Sequence, residues 1–166
     1  MHEIETHSPA IHKNTTQPTL ILLQAFGEIN NGEIPLEFFH KLSKYFERST
    51  CDKGNTLYRE GDPCDYMLVL EQGSLRSLLY VLKEQVTVET ILPGAVVGEM
   101  GIFSSSPVRS RSLVADADCV YWKLTRESFD KMRKEDAAMA NQFILLTLYF
   151  SSERLDTMTR YAFHLH

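Results

Sequence analysis

The sequence predicts a mainly β fold, a roll or barrel of short strands with helices before and after it. From Glu47 to Leu124 the chain consists of short segments rich in Val, Leu, Thr and Tyr, separated by turn-forming residues. Several short strands at close spacing are typical of a roll or barrel. On both sides of this region, apolar residues recur at helical spacing instead. The 166 residues, 43% of them hydrophobic, are enough for one domain with one sizeable core.

Composition sets the domain limits. Residues 1–18 are rich in His, Thr, Ser, Asn and Gln without periodic apolar positions, so we expect a flexible tail there. The domain is then expected over residues 19–166. Within it we predict helices in 20–46, the roll over 47–124 and C-terminal helices over 125–163.

Two helices are predicted before the roll. The first extends from Leu20 to Phe26. The second begins at Pro35, since proline is favoured in the first helical turn. Its apolar residues are spaced for one buried face: Leu36, Phe39, Leu42, Tyr45 and Phe46.

Turn signals divide the central region into seven candidate strands. Glycines at 54, 61, 73 and 94 mark most of the boundaries. The candidates are Arg48 to Cys51, Thr56 to Tyr58, Tyr66 to Glu71, Ser74 to Tyr80, Val86 to Leu92, Val108 to Ala115 and Cys119 to Leu124.

After the roll the chain is predicted to be helical again. Thr125 is a candidate N-cap, followed by a short helix at Glu127 to Arg133 and a longer one from Asp136 to about Tyr161. A stripe of apolar residues on the longer helix predicts the face that packs on the roll: Leu145, Leu148, Leu155, Met158, Ala162 and Leu165.

Charge and cysteine content exclude several classes of function. A net charge of −5 disfavours a nucleic-acid partner, which would require clustered Lys and Arg. Cys51, Cys64 and Cys119 fit neither a disulfide framework nor a metal knuckle, and the histidines show no metal-binding spacing, so no metal is expected. The longest apolar run, Phe143 to Phe150, is far shorter than the ~20 residues that span a bilayer.

Two motifs resemble the cyclic-nucleotide-binding family. The chain has Gly98 and Glu99, the small residue Gly101, the aliphatic Ile102 and, after a variable loop, Arg109. The family has a strand ending in Gly-Glu, a short helix, a loop and an arginine. Upstream, the segment Leu57 to Gly73 is similar to the family's early hairpin with its Gly-Asp turn. The resemblance covers the chain from about Phe39 to Phe129.

This resemblance implies both a fold and a function. The fold would be an eight-stranded β-roll of the jelly-roll or double-stranded β-helix type, with a short helix at Met100 to Phe103. The function would be that of a non-enzymatic regulatory domain. Its candidate ligand is cAMP or cGMP, no cofactor is expected, and no residue is assigned to catalysis.

The chemistry of the first motif suits a cyclic phosphate. Such a phosphate carries one negative charge, and the N–H groups of Met100 and Gly101 at a helix start could donate to it. Gly98 would let the backbone approach closely. Arg109 would add charge-assisted hydrogen bonds, and Ser110 a further donor.

Glu99 completes the predicted site, because its carboxylate could accept from a ribose hydroxyl. A simpler interpretation is that Glu99 and Arg109 form an ordinary ion pair that holds the turn. Arg111 departs from the family pattern, which has a small residue there; it would either crowd the phosphate or offer it a second cation. Tyr58 is a milder departure, where the family has a small aliphatic residue.

A closer resemblance is to the cytosolic C-terminal tail of fungal sulfate-permease-type transporters. It rests on four stretches: Leu22 to Phe26, Leu57 to Pro63, Asp118 to Leu124 and Glu153 to Asp156. It implies a cytosolic domain tethered to a membrane through a parent transporter. The partners would be the transmembrane and sulfate-transporter-type domains of that parent.

Three other classes of function compete with the sensor interpretation. An enzyme would need a nucleophile with a base, paired carboxylates or a metal, and none has a recognisable spacing. A protein interaction module that has the fold but binds no ligand is the main alternative to a sensor. Catabolite-activator-type transcription factors need a helix-turn-helix domain after the long helix, where this sequence ends.

Overall fold

Two four-stranded antiparallel sheets form the body of the protein, and their strand orders are β1-β8-β3-β6 and β2-β7-β4-β5. The computed structural model describes residues 16–27, 33–105 and 107–164, with side chains as far as residue 162. The strands are β1 (Glu47–Cys51), β2 (Thr56–Tyr58), β3 (Tyr66–Gln72), β4 (Leu75–Val81), β5 (Glu84–Ile91), β6 (Val96–Val97), β7 (Ser112–Ala115) and β8 (Cys119–Thr125). The predicted roll of eight strands is confirmed.

The strand pattern differs from the prediction in two places. The strand predicted from Val108 begins only at Ser112. Residues 108 and 109 pair instead with the turn before β3, because Val108 bridges Pro63 and the Arg109 N–H donates to the Asp62 carbonyl. The eighth strand, β6, has two residues and is too short to show a periodicity of its own.

Within the described ranges five helices accompany the sheets: α1 (Gln17–Phe26), α2 (Leu36–Ser43), α3 (Glu99–Phe103), α4 (Arg126–Glu135) and α5 (Ala137–His164). Helix α1 includes residues 17 and 18 of the predicted tail, and residues 1–15 lie outside the described part of the chain. Pro35 is the N-cap of α2 and not its first residue. Thr125 does cap α4, since its Oγ1 accepts from the Ser128 N–H at 3.0 Å.

The apolar side chains form two clusters. The larger cluster lies where the helices pack on the first sheet, and it includes Phe26, Phe39, Met67, Leu124 and Phe143. The smaller cluster fills the interior of the roll between the sheets and includes Leu70, Leu75, Ile91, Leu113 and Ala115.

The buried side of α5 is not the predicted one. Five members of the predicted stripe are exposed: Leu145, Leu148, Leu155, Met158 and Ala162; the sixth, Leu165, lies outside the described residues. The buried residues are Met139, Ala140, Phe143, Leu146 and Thr147 in the first half of the helix. Beyond residue 147, Phe150 also packs against the larger cluster, with its ring 5.6 Å from that of Phe26, but no residue from 148 to 162 is buried. Within the described residues no helix is long and apolar enough to cross a membrane.

Candidate ligand-binding cavity

A cavity of about 770 Å³ lies between α3, the second sheet and the second half of α5. Sites for small molecules are typically about 300–1,000 Å³. Every residue of the predicted site lines this cavity: Gly98, Glu99, Met100, Gly101, Arg109, Ser110 and the modifier Arg111. The fold therefore brings the whole predicted set to one place.

Two features require glycine at position 98: the backbone conformation there and the closeness of the Arg109 side chain. It is the N-cap of α3 with φ of 80°, in the left-handed region that favours glycine. A Cβ there would lie 2.5 Å from Arg109 Nη1 and 3.3 Å from the Tyr66 carbonyl oxygen. The absent side chain leaves the space that the Arg109 guanidinium occupies.

Gly101 is required by packing alone. A Cβ at this position would lie 2.1 Å from the Sγ of Cys64 and 2.9 Å from its Cβ. Cys64 is buried beneath α3, and this burial raises the pKa of its thiol above the ordinary 9.0. Cys64 therefore acts as a small apolar residue that supports α3.

Arg109 is a buried cation without a close carboxylate. It is 4% exposed, and its Nη2 donates to the Tyr66 carbonyl oxygen at 2.8 Å. Its nearest acid, Asp65, is 4.0 Å away and has a side chain that is 75% exposed. The Nε of Arg109 is buried and has no hydrogen-bond partner among the described residues. A buried charge and a buried N–H in this state are costly unless an anion joins them.

Two tyrosines hold the Arg109 guanidinium in place. Its central carbon lies 3.8 Å from the centre of the Tyr58 ring and 4.5 Å from that of Tyr66. Such contacts are cation–π interactions. Burial raises the pKa of Tyr58 to about 12, although the nearby Arg109 lowers it, so the phenol is neutral at physiological pH. The tyrosine at position 58, where the family has a small aliphatic residue, thus gives the guanidinium of Arg109 an aromatic ring to pack on.

Glu99 is bound by the last helix and not by Arg109. Its side chain is 8% exposed, and its Oε1 accepts from Arg154 Nη1 at 3.2 Å and from Ser151 Oγ at 3.4 Å. The simpler interpretation, in which Glu99 and Arg109 form an ion pair that holds the turn, is therefore wrong. Both contacts use Oε1, which leaves the Oε2 lone pairs to accept from another hydroxyl.

Arg111 lies against β5. Its Nη1 is 3.9 Å from Glu89 Oε2, and Nη2 of Arg154 is 3.5 Å from the same oxygen. Both side chains of the Arg111–Glu89 pair are 37% exposed. The cavity thus contains a chain of alternating charges that runs through Arg111, Glu89, Arg154 and Glu99.

The motifs did not reveal three of these groups. Ser77, Glu89 and Arg154 all line the cavity, but each belongs to a strand or helix outside the two motifs. A charged residue at an inward position of a strand is a signal that could have identified Glu89. Arg154 has no such signal, because its role depends on where α5 crosses the roll.

Comparison with known proteins points to one family. The model of a family described as the cyclic nucleotide-binding domain matches residues 48–136. A cAMP-dependent protein kinase regulatory subunit of Yarrowia lipolytica is 29% identical over 101 residues, covering 61% of this chain and 26% of the relative. A second such subunit, from Eremothecium gossypii, is 35% identical over 86 residues, covering 52% of this chain and 18% of the relative. The chain thus spans about a quarter or less of these relatives.

Solved structures share the fold at low sequence identity. A cyclic nucleotide-binding domain of Methylobacillus flagellatus superposes with a TM-score of 0.75 and 20% identity, covering 89% of this chain and 85% of that one. The regulatory domain of Toxoplasma gondii PKA with cAMP gives a TM-score of 0.60 and 22% identity, covering 69% of this chain and 42% of that one.

Proposed function

The chain belongs to the cyclic nucleotide-binding domain family, and on that premise we propose that its cavity binds a cyclic purine nucleotide, cAMP or cGMP, as a regulatory domain and not as an enzyme. The observation that carries the proposal is Arg109. Among the residues that the structure describes, this guanidinium, 4% exposed, has no close carboxylate and no partner for its buried Nε, so it needs an anion. A cyclic phosphate supplies one.

The other residues of the cavity suit the rest of the ligand. Glu99 Oε2 accepts from a ribose hydroxyl, while Oε1 stays with Arg154 and Ser151. Ser110 is exposed at the cavity and offers a hydroxyl near the phosphate. Met100 and Gly101 present the backbone of the single-turn helix α3. The ligand would complete the hydrogen bonds of Arg109 without disturbing the Glu99–Arg154 pair.

Calorimetry tests this proposal. We expect wild-type protein to bind at least one of cAMP and cGMP, and Arg109→Ala to weaken binding at least about tenfold, because hydrogen bonds to charged groups contribute about 1.5–3 kcal/mol. Arg109→Lys keeps the charge but loses the planar donor set, and should fall between the two. Arg76→Ala is the matched control, since Arg76 pairs with Asp116 at 2.6 Å outside the cavity.

The opposite result defines the alternative function. If neither nucleotide binds the wild-type protein at millimolar concentration, the domain is an interaction module that has kept the fold without a ligand. If Arg109→Ala and Arg76→Ala weaken binding equally, the contact with Arg109 is non-specific.

The parent protein is a separate proposal. We propose a sulfate-permease-type transporter with this domain as its cytosolic, membrane-tethered tail, on the sequence resemblance of the four stretches named above. The curated relatives do not support that parent, since both are kinase regulatory subunits; they share at most 26% of their length with this chain. Sequencing the encoding transcript upstream of Met1 tests the proposal, and an upstream region without transmembrane segments would contradict it.

A further inference from the structure

Part of the cavity wall carries polar groups that phosphate and ribose binding leave unused. Ser77 on β4 lies opposite Glu89 on β5 in the strand register. Arg111 directly precedes β7, the other neighbour of β4. All three residues line the cavity.

These groups interrupt an otherwise apolar face of the sheet. Leu75, Ile91 and Ala115 lie side by side on β4, β5 and β7 and are buried in the interior of the roll. Side chains on one face of a strand recur at every second residue. The same face therefore carries Ser77, two residues after Leu75 on β4, and Glu89, two residues before Ile91 on β5. The face changes from apolar to polar where it borders the cavity. Glu89, whose side chain is 37% exposed, thus lines the cavity with a carboxylate.

The distance between Arg111 and Glu89 is too long for a strong hydrogen bond, so neither side chain has its hydrogen-bonding capacity satisfied by the other. The separation of 3.9 Å contrasts with 2.6 Å for Arg76 and Asp116 on the same sheet. Charge-assisted hydrogen bonds are about 2.7–2.9 Å long. The second cation at Glu89, Arg154, is also distant at 3.5 Å. Arg111 therefore keeps donors, and Glu89 keeps acceptors, for a third partner.

We infer that Arg111 and Glu89 bind the base of the ligand and select guanine over adenine. This inference rests on the proposed function, in which Arg109 holds the phosphate and Glu99 the ribose. Guanine presents the acceptors O6 and N7 side by side, which a guanidinium meets with two N–H groups. Its N1–H and N2 amino groups are donors that a carboxylate accepts. Adenine has an amino group in place of O6 and an acceptor at N1. Its amino donor would therefore face the N–H donors of Arg111, and its N1 acceptor would face the carboxylate of Glu89.

Calorimetry of the full chain with cGMP and with cAMP tests the inference. We expect cGMP to bind at least tenfold more tightly, which corresponds to about 1.4 kcal/mol. Arg111→Gln should lower this ratio at least tenfold while cAMP binding persists or improves, since a glutamine amide can pair with N6 and N7 of adenine. Glu89→Gln should lower the ratio in the same direction. Arg76→Gln, outside the cavity, should leave it unchanged.

The outcomes separate this inference from the proposed function. If cAMP binds the wild-type protein as tightly as cGMP or more tightly, the base assignment is wrong while nucleotide binding stands. An unchanged ratio in both Arg111→Gln and Glu89→Gln has the same meaning, and persistent cAMP binding shows that the variants are folded. Binding of neither nucleotide to the wild-type protein overturns the proposed function and this inference together.

Discussion

A methyl group at position 98 would lie 2.5 Å from Arg109 Nη1, and one at position 101 would lie 2.1 Å from Cys64 Sγ. At the scale of single residues, the cavity therefore depends on two missing side chains. Gly98 gives room to the cation that we propose binds phosphate. Gly101 gives room to the buried thiol that supports α3, so α3 can lie close to the roll.

The contact between Gly101 and Cys64 makes a prediction about stability. Gly101→Ala should lower the free energy of unfolding by about 1–3 kcal/mol through overpacking, although alanine favours a helix over glycine. Cys64→Ala removes the Sγ, which makes the closer of the two contacts, and leaves only the Cβ at 2.9 Å. The double variant should therefore be more stable than the sum of the two single changes predicts, by about 0.5 kcal/mol or more.

Urea unfolding of the wild-type protein, both single variants and the double variant measures this coupling. The cycle is its own control, because each single change is compared with and without the other. Additive losses would mean that α3 shifts to admit the methyl group, and that Gly101 is not held by Cys64.

At the scale of elements, α5 is divided into two halves with different roles. Its first half is buried through Met139, Phe143 and Leu146. Its second half overhangs the cavity, which it lines with Leu148, Arg154, Leu155 and Met158 among others. The polar contacts of this half with the rest of the domain include those of Ser151 and Arg154 with Glu99, Glu89 and the Val96 carbonyl oxygen.

This division predicts which element responds to a ligand. A bound nucleotide would cover the exposed apolar residues Leu148, Leu155 and Met158, so the second half of α5 should become more stable. Amide hydrogen exchange from Phe143 to Met158 should slow on addition of cGMP or cAMP. The α2 amides, Leu36–Ser43, are the internal reference and should not change.

Arg154→Ala tests the link between helix and site. Removing its contacts with Glu99 and Glu89 should reduce the ligand-induced slowing in α5. Protection confined to Gly98 to Ser112 in the wild-type protein would show a cavity that is not coupled to its last helix.

At the scale of the whole molecule, buried thiols and phenols make stability depend on pH. Burial raises the pKa of Cys64 and Cys119 above 9.0, and that of Tyr58 from 10.0 to about 12. The folded chain therefore keeps protons that the unfolded chain releases. Below pH 9 both states keep these protons and the stabilising contribution of these groups is complete. The free energy of unfolding then falls as the pH rises toward 12.

We expect a lower free energy of unfolding at about pH 10.5 than at about pH 8, measured by urea unfolding. Tyr58→Phe keeps the ring beside Arg109 but removes the titrating hydroxyl. The free energy of unfolding of this variant should therefore fall less between the two pH values than that of the wild-type protein. A free energy that stays constant or rises over this interval would contradict the assignment of these groups as buried.

The sequence by itself determined seven of the eight strands and most helix positions, and its family motif identified the candidate site residues. The strands and helices depend on neighbours in the chain, through alternation along a strand or a cap such as Thr125. Their physical causes act over a few residues, so they can be recognised without the fold.

Only the tertiary structure decided what meets these residues. Arg154 reaches Glu99 across 55 positions of sequence, and Glu89 joins Arg111 because β4 brings β5 and β7 to one sheet. The stripe that includes Leu148 and Leu155 is apolar, as its spacing predicts, yet it faces the cavity and solvent instead of a core. Periodicity shows that a helix has an apolar face, but the surface that covers it depends on where the helix crosses the sheets, and that is set by contacts between residues distant in the chain.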